Sequence, residues 1–506
     1  MVQGSKLYNM TMKKTAILLS LLLLAFSASA ANKAEEKQQK ASEVKQHLQN
    51  HFKLYGFIRN YFVFDSRESK AGTGDLFYYL PLDNKWNTPD EANPAREDLN
   101  ASPNFRFLAL TSRVGVDVSG YYYKNIHFGA KVEADFYAGL SAASTSTGLS
   151  GNTKISGTAQ LRLRQAYATV TWKDLPMKGE QTAQVGLKMG QAWHPMAADF
   201  PHLFSLEVGA PFGPFSRTPQ VTMDASLGKN WVLSASALWQ MQYQSAGPDG
   251  ASAAYIKYAC TPEVYLGLTY KNKGFLGRVG ADLLSIKPRN IGSVPDPTNS
   301  DKNITVHVKD RKTSLLYYLY AQYTYKDFSV RAKTTYGEGG EHMNLMSGYA
   351  VVDKTDPANW KYASLRNSST WVSLSYGKKW QGVLFAGYMK NLGLANPVDG
   401  NLLSTAGDSK KKAEVFFCGN GYSNINQMYR INPQILYNFG KFTVGLEYQW
   451  TAVQYGEYIS VKRDSVNEHD KPVVVTDKYV NPTGLATEGL HWVGNHRVNM
   501  MVKFTF

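Results

Sequence analysis

The last eleven residues, His496 to Phe506, alternate apolar and polar side chains: Val498, Met500, Val502, Phe504 and Phe506 against Arg497, Asn499, Lys503 and Thr505. In a strand this spacing puts one set on each face, so one side suits hydrocarbon and the other water. Inside a bilayer every backbone N–H and C=O must be bonded within the protein, and strands therefore cross only as a closed barrel. A two-faced strand ending on an aromatic, in a chain with an export signal, predicts an all-β fold: a transmembrane antiparallel β-barrel.

The export signal starts at Met12, where Lys13 and Lys14 precede an apolar run from Ala16 to Phe26 and the small residues Ala28-Ser29-Ala30. It is too short and wrongly flanked for a spanning helix. Residues 1–30 are read as a signal peptide, with 1–11 as an upstream extension because Met10 and Met12 could each initiate; residues 31–51 are a periplasmic leader, and 52–506 the barrel. No later segment has the run of about 18 apolar residues that a membrane helix needs.

A barrel shows lipid only at alternate strand positions and can stay hydrophilic on average. Mean hydropathy is −0.34, yet aromatics make up 13% of the chain, with 32 Tyr and 10 Trp suited to interfacial girdles. Net charge is +15, three units of it from Lys6, Lys13 and Lys14 in the signal region. Nucleic acid is not the expected partner of an exported basic chain. Small hydrophilic anionic solutes, outer-membrane lipid and lipopolysaccharide are. Cys260 and Cys418 suit an oxidising compartment without establishing a bridge, and metal-type cysteine spacing is absent.

A period-two template finds about sixteen segments able to cross a bilayer. In one, Ile126, Phe128, Ala130, Val132, Ala134 and Phe136 oppose His127, Gly129, Lys131, Glu133 and Asp135; in another, Phe442, Val444, Leu446, Tyr448 and Trp450 oppose Thr443, Gly445, Glu447, Gln449 and Thr451. The pattern recurs at 108–118, 221–227, 231–243, 264–270, 275–283 and 330–336. Short turns are expected at Ser119-Gly120, Asp174–Glu180, Gly228-Lys229, Asn272–Gly274, Lys326-Asp327, Gly377–Lys379 and Phe439-Gly440. Long polar excursions at 65–103, 139–157, 192–217, 244–258, 287–311, 338–367, 392–426 and 456–494 take turns with them. Short turns on the periplasmic side and long loops outside are what such barrels have. About sixteen strands enclose an aqueous channel, whereas eight would be filled by side chains. The leader has helix-forming composition, with Ala34, Ala41, Val44 and Leu48 near heptad spacing. A short coiled coil and a solvated disordered segment both remain open for it.

The polar faces are read as lumen-facing and supply Arg113, Lys131, Lys188, Arg278, Arg331, Lys333, Arg430, Arg497 and Lys503, alongside Asp117, Glu133, Asp135, Asp224, Asp282 and Glu447. Cross-strand pairing accounts for part of this set; a surplus of fixed positive charge favours anions. Arg162 and Arg164 share a face opposite Leu161 and Leu163, and the pattern slips after Gln165, which predicts a bulge or an exit from the membrane. Residues 193–220 carry five prolines and five aromatics. A stiff, greasy segment of that kind is a liability in water and is expected to fold inward as a constriction loop, with Trp193, His194, Pro195, Phe212, Pro214 and Phe215 as its marking residues. An extracellular cap or subunit contact is the alternative. His194 and His202 lack a third ligand at suitable spacing, so no metal and no cofactor is expected.

LRLRQAYATV at 161–170, VGLKMGQAWHPM at 185–196, PFSRTPQ at 214–220, LYGFIRNYFVFDSR at 54–67 and RINPQ at 430–434 together resemble the DcaP-like porins and the related general porins of Bacteroidota. The resemblance covers about 52–506 and implies a homotrimer in the outer membrane of a Gram-negative bacterium. It also implies a loop entering each lumen and diffusion of small, often negatively charged solutes. By it, Arg162, Arg164 and Arg217 lie near the constriction. The family's N-terminal coiled coil is longer than the leader here.

The expected function is a passive, weakly anion-selective porin. The alternatives are a substrate-specific channel for sugars or dicarboxylates, with aromatics near Trp193 and Phe212 as a sliding surface, or a surface component of a larger uptake or adhesion complex. An enzyme is not expected, because most of the ten histidines, including His342, His469 and His491, fall in long loops without a matching Ser or Asp pattern.

Overall fold

Leu446 is 52% exposed on the outside of the protein, and its neighbour Glu447 is 0% exposed. That contrast follows from the two-residue period: Phe128, Val132 and Phe136 point out, while Glu133 and Asp135 are buried inside. Surrounding the outward residues with water would forgo roughly 1.5–3 kcal/mol for each large side chain, so the belt belongs in hydrocarbon. The computed structural model describes residues 51–506 apart from 73–76, 90–94, 110, 138–159, 178–181, 400–401, 403–415, 419–423, 458, 467–471 and 480. The expected signal peptide, and the leader for which a coiled coil or a disordered segment was open, lie outside the described residues apart from His51.

Sixteen antiparallel strands cross and close: β1 (Phe52–Asp65), β2 (Asn104–Leu108 resuming as Arg113–Tyr123), β3 (Ile126–Tyr137), β4 (Gln160–Pro176), β5 (Thr182–Trp193), β6 (Arg217–Leu227), β7 (Trp231–Leu238) and β8 (Glu263–Asn272) form the first half. The second half comprises β9 (Phe275–Ile286), β10 (Lys312–Tyr325), β11 (Phe328–Glu338), β12 (Lys361–Gly377), β13 (Trp380–Leu394), β14 (Ile425–Phe439), β15 (Phe442–Tyr455) and β16 (His491–Thr505). Each pairs with its successor, and β16 returns to β1 in a ladder from Phe57↔Thr505 to Asp65↔Arg497. Closure leaves no edge strand in the wall. Among the described residues no helix is long and apolar enough to cross a membrane.

Several boundaries differ from the sequence expectation. Ser119-Gly120 is not a turn: β2 runs to Tyr123, and Gly120 (φ 82°) lies in a register shift between Val118 and Tyr121, so a bulge replaces the turn. The chain reverses instead at Lys124, which takes a left-handed φ of 53°. The strand expected over 231–243 stops at Leu238, and β12 begins at Lys361 inside the stretch expected to be loop. The slip after Gln165 is a bulge: Glu133 pairs with Gln165 but Ala134 pairs with Leu163, leaving Arg164 extra on β4.

The long connections have structure of their own. Hairpins form between Ser69–Gly72 and Phe77–Pro81, Ile291–Asp296 and Asn299–His307, and Ile459–Val466 and Pro472–Tyr479. A further strand, Gly348–Asp353, pairs with both β12 and Phe416–Cys418.

The lumen is not uniformly polar. Trp371 on β12, Phe385 and Met389 on β13 and Met428 on β14 are inward-facing and almost fully buried, in one cluster with Phe204, Phe212 and Phe215 from the segment between β5 and β6. The barrel therefore has an apolar core within its hole, where that segment packs.

A loop fastened across the lumen

Residues 194–216 leave β5 and return to β6 at a neck where the His194 N–H donates to the Ser216 carbonyl at 3.1 Å. Pro195 opens a one-turn 3-10 helix, Pro195–Ala197. Its fixed φ suits the first helical position. The chain then crosses the lumen and is held at successive points by the wall. Lys333 Nζ on β11 donates to the Met196 and Asp199 carbonyls, both at 2.7 Å, and Arg331 Nη1 to the Phe200 carbonyl at 2.9 Å. Arg278 on β9 pairs with the Asp199 carboxylate at 2.8 Å. Gln434 on β14 donates to the His202 carbonyl at 2.9 Å, and Tyr61 on β1 to the Phe204 carbonyl. Arg497 on β16 pairs with Glu207 at 2.9 Å. On the return path Arg430 on β14 donates to the Ala210 carbonyl at 2.9 Å and Ser369 on β12 to the Phe212 carbonyl at 2.7 Å. Since β14 lies eight strands from β6 in the sixteen-strand circuit, the loop reaches the opposite wall.

This geometry settles where the expected site residues stand. Phe212 and Pro214 are buried, Phe215 is 4% exposed, and His194 is fully buried at the neck. The segment lies inside the wall, held by side chains of facing strands. The sliding-surface role expected for Phe212 does not hold: its ring lies 6.3 Å from Phe385, with no exposed area. Lys333 and Arg430, expected to line open lumen, are only 2% and 1% exposed and spend their donors on loop carbonyls. Arg278 and Arg331 are partly exposed and also serve as fasteners. The correction has a simple cause. A backbone carbonyl attracts a cation as water does, so period-two polarity cannot tell the two settings apart.

The remaining basic residues gather on the wall from β1 to β6. Arg162 grips Asp135 with two bonds of 2.9 and 3.0 Å. Arg164 bridges Glu133 and Asp135 at 2.8 and 2.7 Å. Arg113 is 3.7 Å from Glu133, and Lys131 is 2.8 Å from Asp117. Arg217 bonds Gln242 and lies over the Trp193 ring at 4.9 Å, with Arg164 at 5.7 Å from the same ring. Arg59, absent from the sequence expectation, bonds Thr111 beside them. With Lys188 near Asp224 and the Arg106–Asp65 pair at 2.6 Å on the same wall, eight cations face five carboxylates. The side chains of Arg113, Arg162 and Lys131 keep 21–23% of their area exposed.

A second inward element escaped the sequence reading. The Phe77–Pro81 strand of the first loop packs down on the constriction loop: Phe77 meets Phe215 edge-on at 5.7 Å, and the Tyr79 and Tyr243 hydroxyls are 2.7 Å apart. Arg430 also takes the Tyr79 carbonyl at 2.6 Å. The signal was the apolar run FYYLP in an otherwise polar stretch.

Closed wall, lipid-facing belt and lumen-crossing loop define a porin-type transmembrane barrel. No family model matches the sequence, nor does any curated protein. Among solved structures the chain is similar to the outer membrane channel DcaP of Acinetobacter baumannii, at 16% identity and a TM-score of 0.54, covering 90% of this chain and 97% of that one. An anion-selective porin from Comamonas acidovorans aligns at 9% identity and a TM-score of 0.45, over 90% of this chain and 99% of that one. At these identities the likeness is one of fold, and the DcaP channel carries it.

Proposed function

We propose that the chain is an outer-membrane porin through which small hydrophilic solutes diffuse passively, with a weak preference for anions. The observation that carries the preference is the excess of cations between β1 and β6: Arg59, Arg113, Lys131 and Arg162 keep part of their area exposed, Arg164 and Arg217 lie buried behind them, contrary to the open lining expected of these two, and together they outnumber Asp117, Glu133 and Asp135. Paired guanidiniums cancel much of each other's partners' field, but the unbalanced remainder acts in a narrow wet space with low-dielectric walls, where it is least screened. The loop sets the width, and the basic wall sets the sign.

The experiment is the reversal potential of the purified protein in a planar bilayer under a KCl gradient. A sign reporting chloride preference supports the reading, and potassium preference overturns it. The homotrimer and the assignment to the DcaP-like and Bacteroidota porins rest on the motif resemblance, together with the fold. Three equal conductance steps per insertion event would agree with the trimer.

A further inference from the structure

Four buried side chains meet behind the neck of the constriction loop. His194 comes from the loop, Glu263 from the first position of β8, Asp282 from β9 and His342 from the 3-10 turn Glu341–Met343 after β11. The Nε2 atoms of His194 and His342 lie 2.9 and 2.8 Å from the same oxygen, Glu263 Oε1, and His194 Nε2 lies 3.6 Å from Asp282 Oδ1. The donor atoms of His194, Glu263 and Asp282 all fall within 4.8 Å of one another. None of the four residues is more than 2% exposed. Glu263 Oε2, Asp282 Oδ1 and His342 Nδ1 are buried without a hydrogen-bond partner. Of these, Asp282 Oδ1 is one of the atoms that converge with His194 Nε2 and Glu263 Oε1, and a buried carboxylate oxygen without a partner is costly enough to ask for an occupant.

We propose that this cluster binds one divalent transition-metal ion of the zinc class and that the ion staples the constriction loop to the wall. Imidazole with carboxylate is a borderline-soft donor set, suited to such ions rather than to Ca²⁺ or Mg²⁺. Tetrahedral ligands at about 2.0–2.1 Å from zinc stand about 3.3 Å apart. The His194–Glu263 and His194–Asp282 separations, 2.9 and 3.6 Å, bracket that edge, and His342 stands beside the same Glu263 oxygen as the nearest candidate for a fourth ligand. Glu263 and Asp282 come from adjacent wall strands, whereas both histidines come from connecting segments. An ion there joins two mobile-by-nature connections to a rigid sheet.

One bond must yield. His194 Nδ1 accepts the Met196 N–H at 3.2 Å, so the metal-free neutral ring carries its proton on Nε2. Metal at Nε2 moves that proton to Nδ1 and releases the Met196 N–H, a loss of roughly 1 kcal/mol against the several ligand bonds gained. Full burial means the ion enters as the protein folds. Neither histidine's role was legible from sequence, because both carboxylates lie far along the chain.

The test uses tag-free protein refolded into detergent with ZnCl₂ or with EDTA, then freed of unbound metal by gel filtration. Elemental analysis should find about one zinc per chain in the first sample. Its melting temperature should exceed that of the EDTA sample, and Asp282→Asn should abolish both the metal and the shift. Less than a tenth of an equivalent of zinc in the wild type, with coincident melting curves, overturns the proposal. Should Asp282→Asn fail to fold, the wild-type comparison decides alone. Metal content is read without reference to conductance, so this result and that of the porin reading are independent.

Discussion

A β-carbon on Gly387 would stand 2.5 Å from Cγ of Phe212. The glycine on β13 is therefore a socket into which the returning limb of the constriction loop seats its ring. Gly387→Ala overfills that socket, and overpacking of this sort costs about 1–3 kcal/mol. Because the wall is a closed ladder and the loop is not, the loop gives way. Single-channel conductance should become larger and noisier, whereas Gly382→Ala, on the same strand with open space around it, should leave the trace unchanged.

Removing a fastener should separate width from charge. Lys333→Met leaves the buried Met196 carbonyl and the part-buried Asp199 carbonyl without their 2.7 Å partner, at a cost of about 1–3 kcal/mol for the buried one. Conductance should rise with little change in reversal potential. Equal conductance with a changed reversal potential would show that Lys333 acts on ions directly.

The opposite split is expected on the basic wall. Arg113 and Arg162 keep about a fifth of their side-chain area exposed and face the carboxylates Glu133 and Asp135. Arg113→Gln with Arg162→Gln leaves Glu133 and Asp135 under-compensated, so the reversal potential should move toward cations. Conductance should stay within about twofold, since a local charge change scales ion entry by only a modest electrostatic factor at ordinary salt.

Leu446, on the outer face of β15, tests the lipid belt. Leu446→Arg places a guanidinium among acyl chains and should cost roughly 2–4 kcal/mol in folding from urea into vesicles. A cost near zero would mean that this face does not meet hydrocarbon.

The two thiols should differ in reactivity. Cys260 is exposed, whereas Cys418 is half-buried, and its desolvated surroundings, with the Glu341 carboxylate adding to them, push its thiol up to about 12. The thiolate is the nucleophile, and raising the folded-state pKa withholds it until strongly alkaline pH. A maleimide at pH 7.5 should label Cys260 and leave Cys418 unmodified until the protein is denatured. Rapid labelling of both would refute the burial. The structure has both cysteines free, so no mass change is expected on reduction.

Much of this was legible in the chain. Alternation around Leu446 and Glu447 fixed which residues face outward, and the phase slip at Gln165 marked the bulge that sets Arg164 between two carboxylates. Proline and aromatic density set the stretch 193–220 apart from the other long connections. What alternation cannot encode is the destination of an inward polar group: Arg162 and Lys333 read alike, though one meets carboxylates and the other carbonyls. Gly120 misled for a related reason, because a left-handed glycine serves a bulge as well as a turn. The convergence of His194, His342, Glu263 and Asp282 depends on cylinder closure, which spacing along the chain does not carry.

The tip of the loop is gripped by Tyr61 and Arg497, and these belong to β1 and β16, the two strands that meet at the seam. The seam can form only when the final strand arrives. Barrel closure and loop position are thus tied together: parting β1 from β16 would draw Tyr61 and Arg497 away from each other and loosen the stretch between Phe204 and Glu207, while Gln434 and Arg430 kept their hold on its flanks.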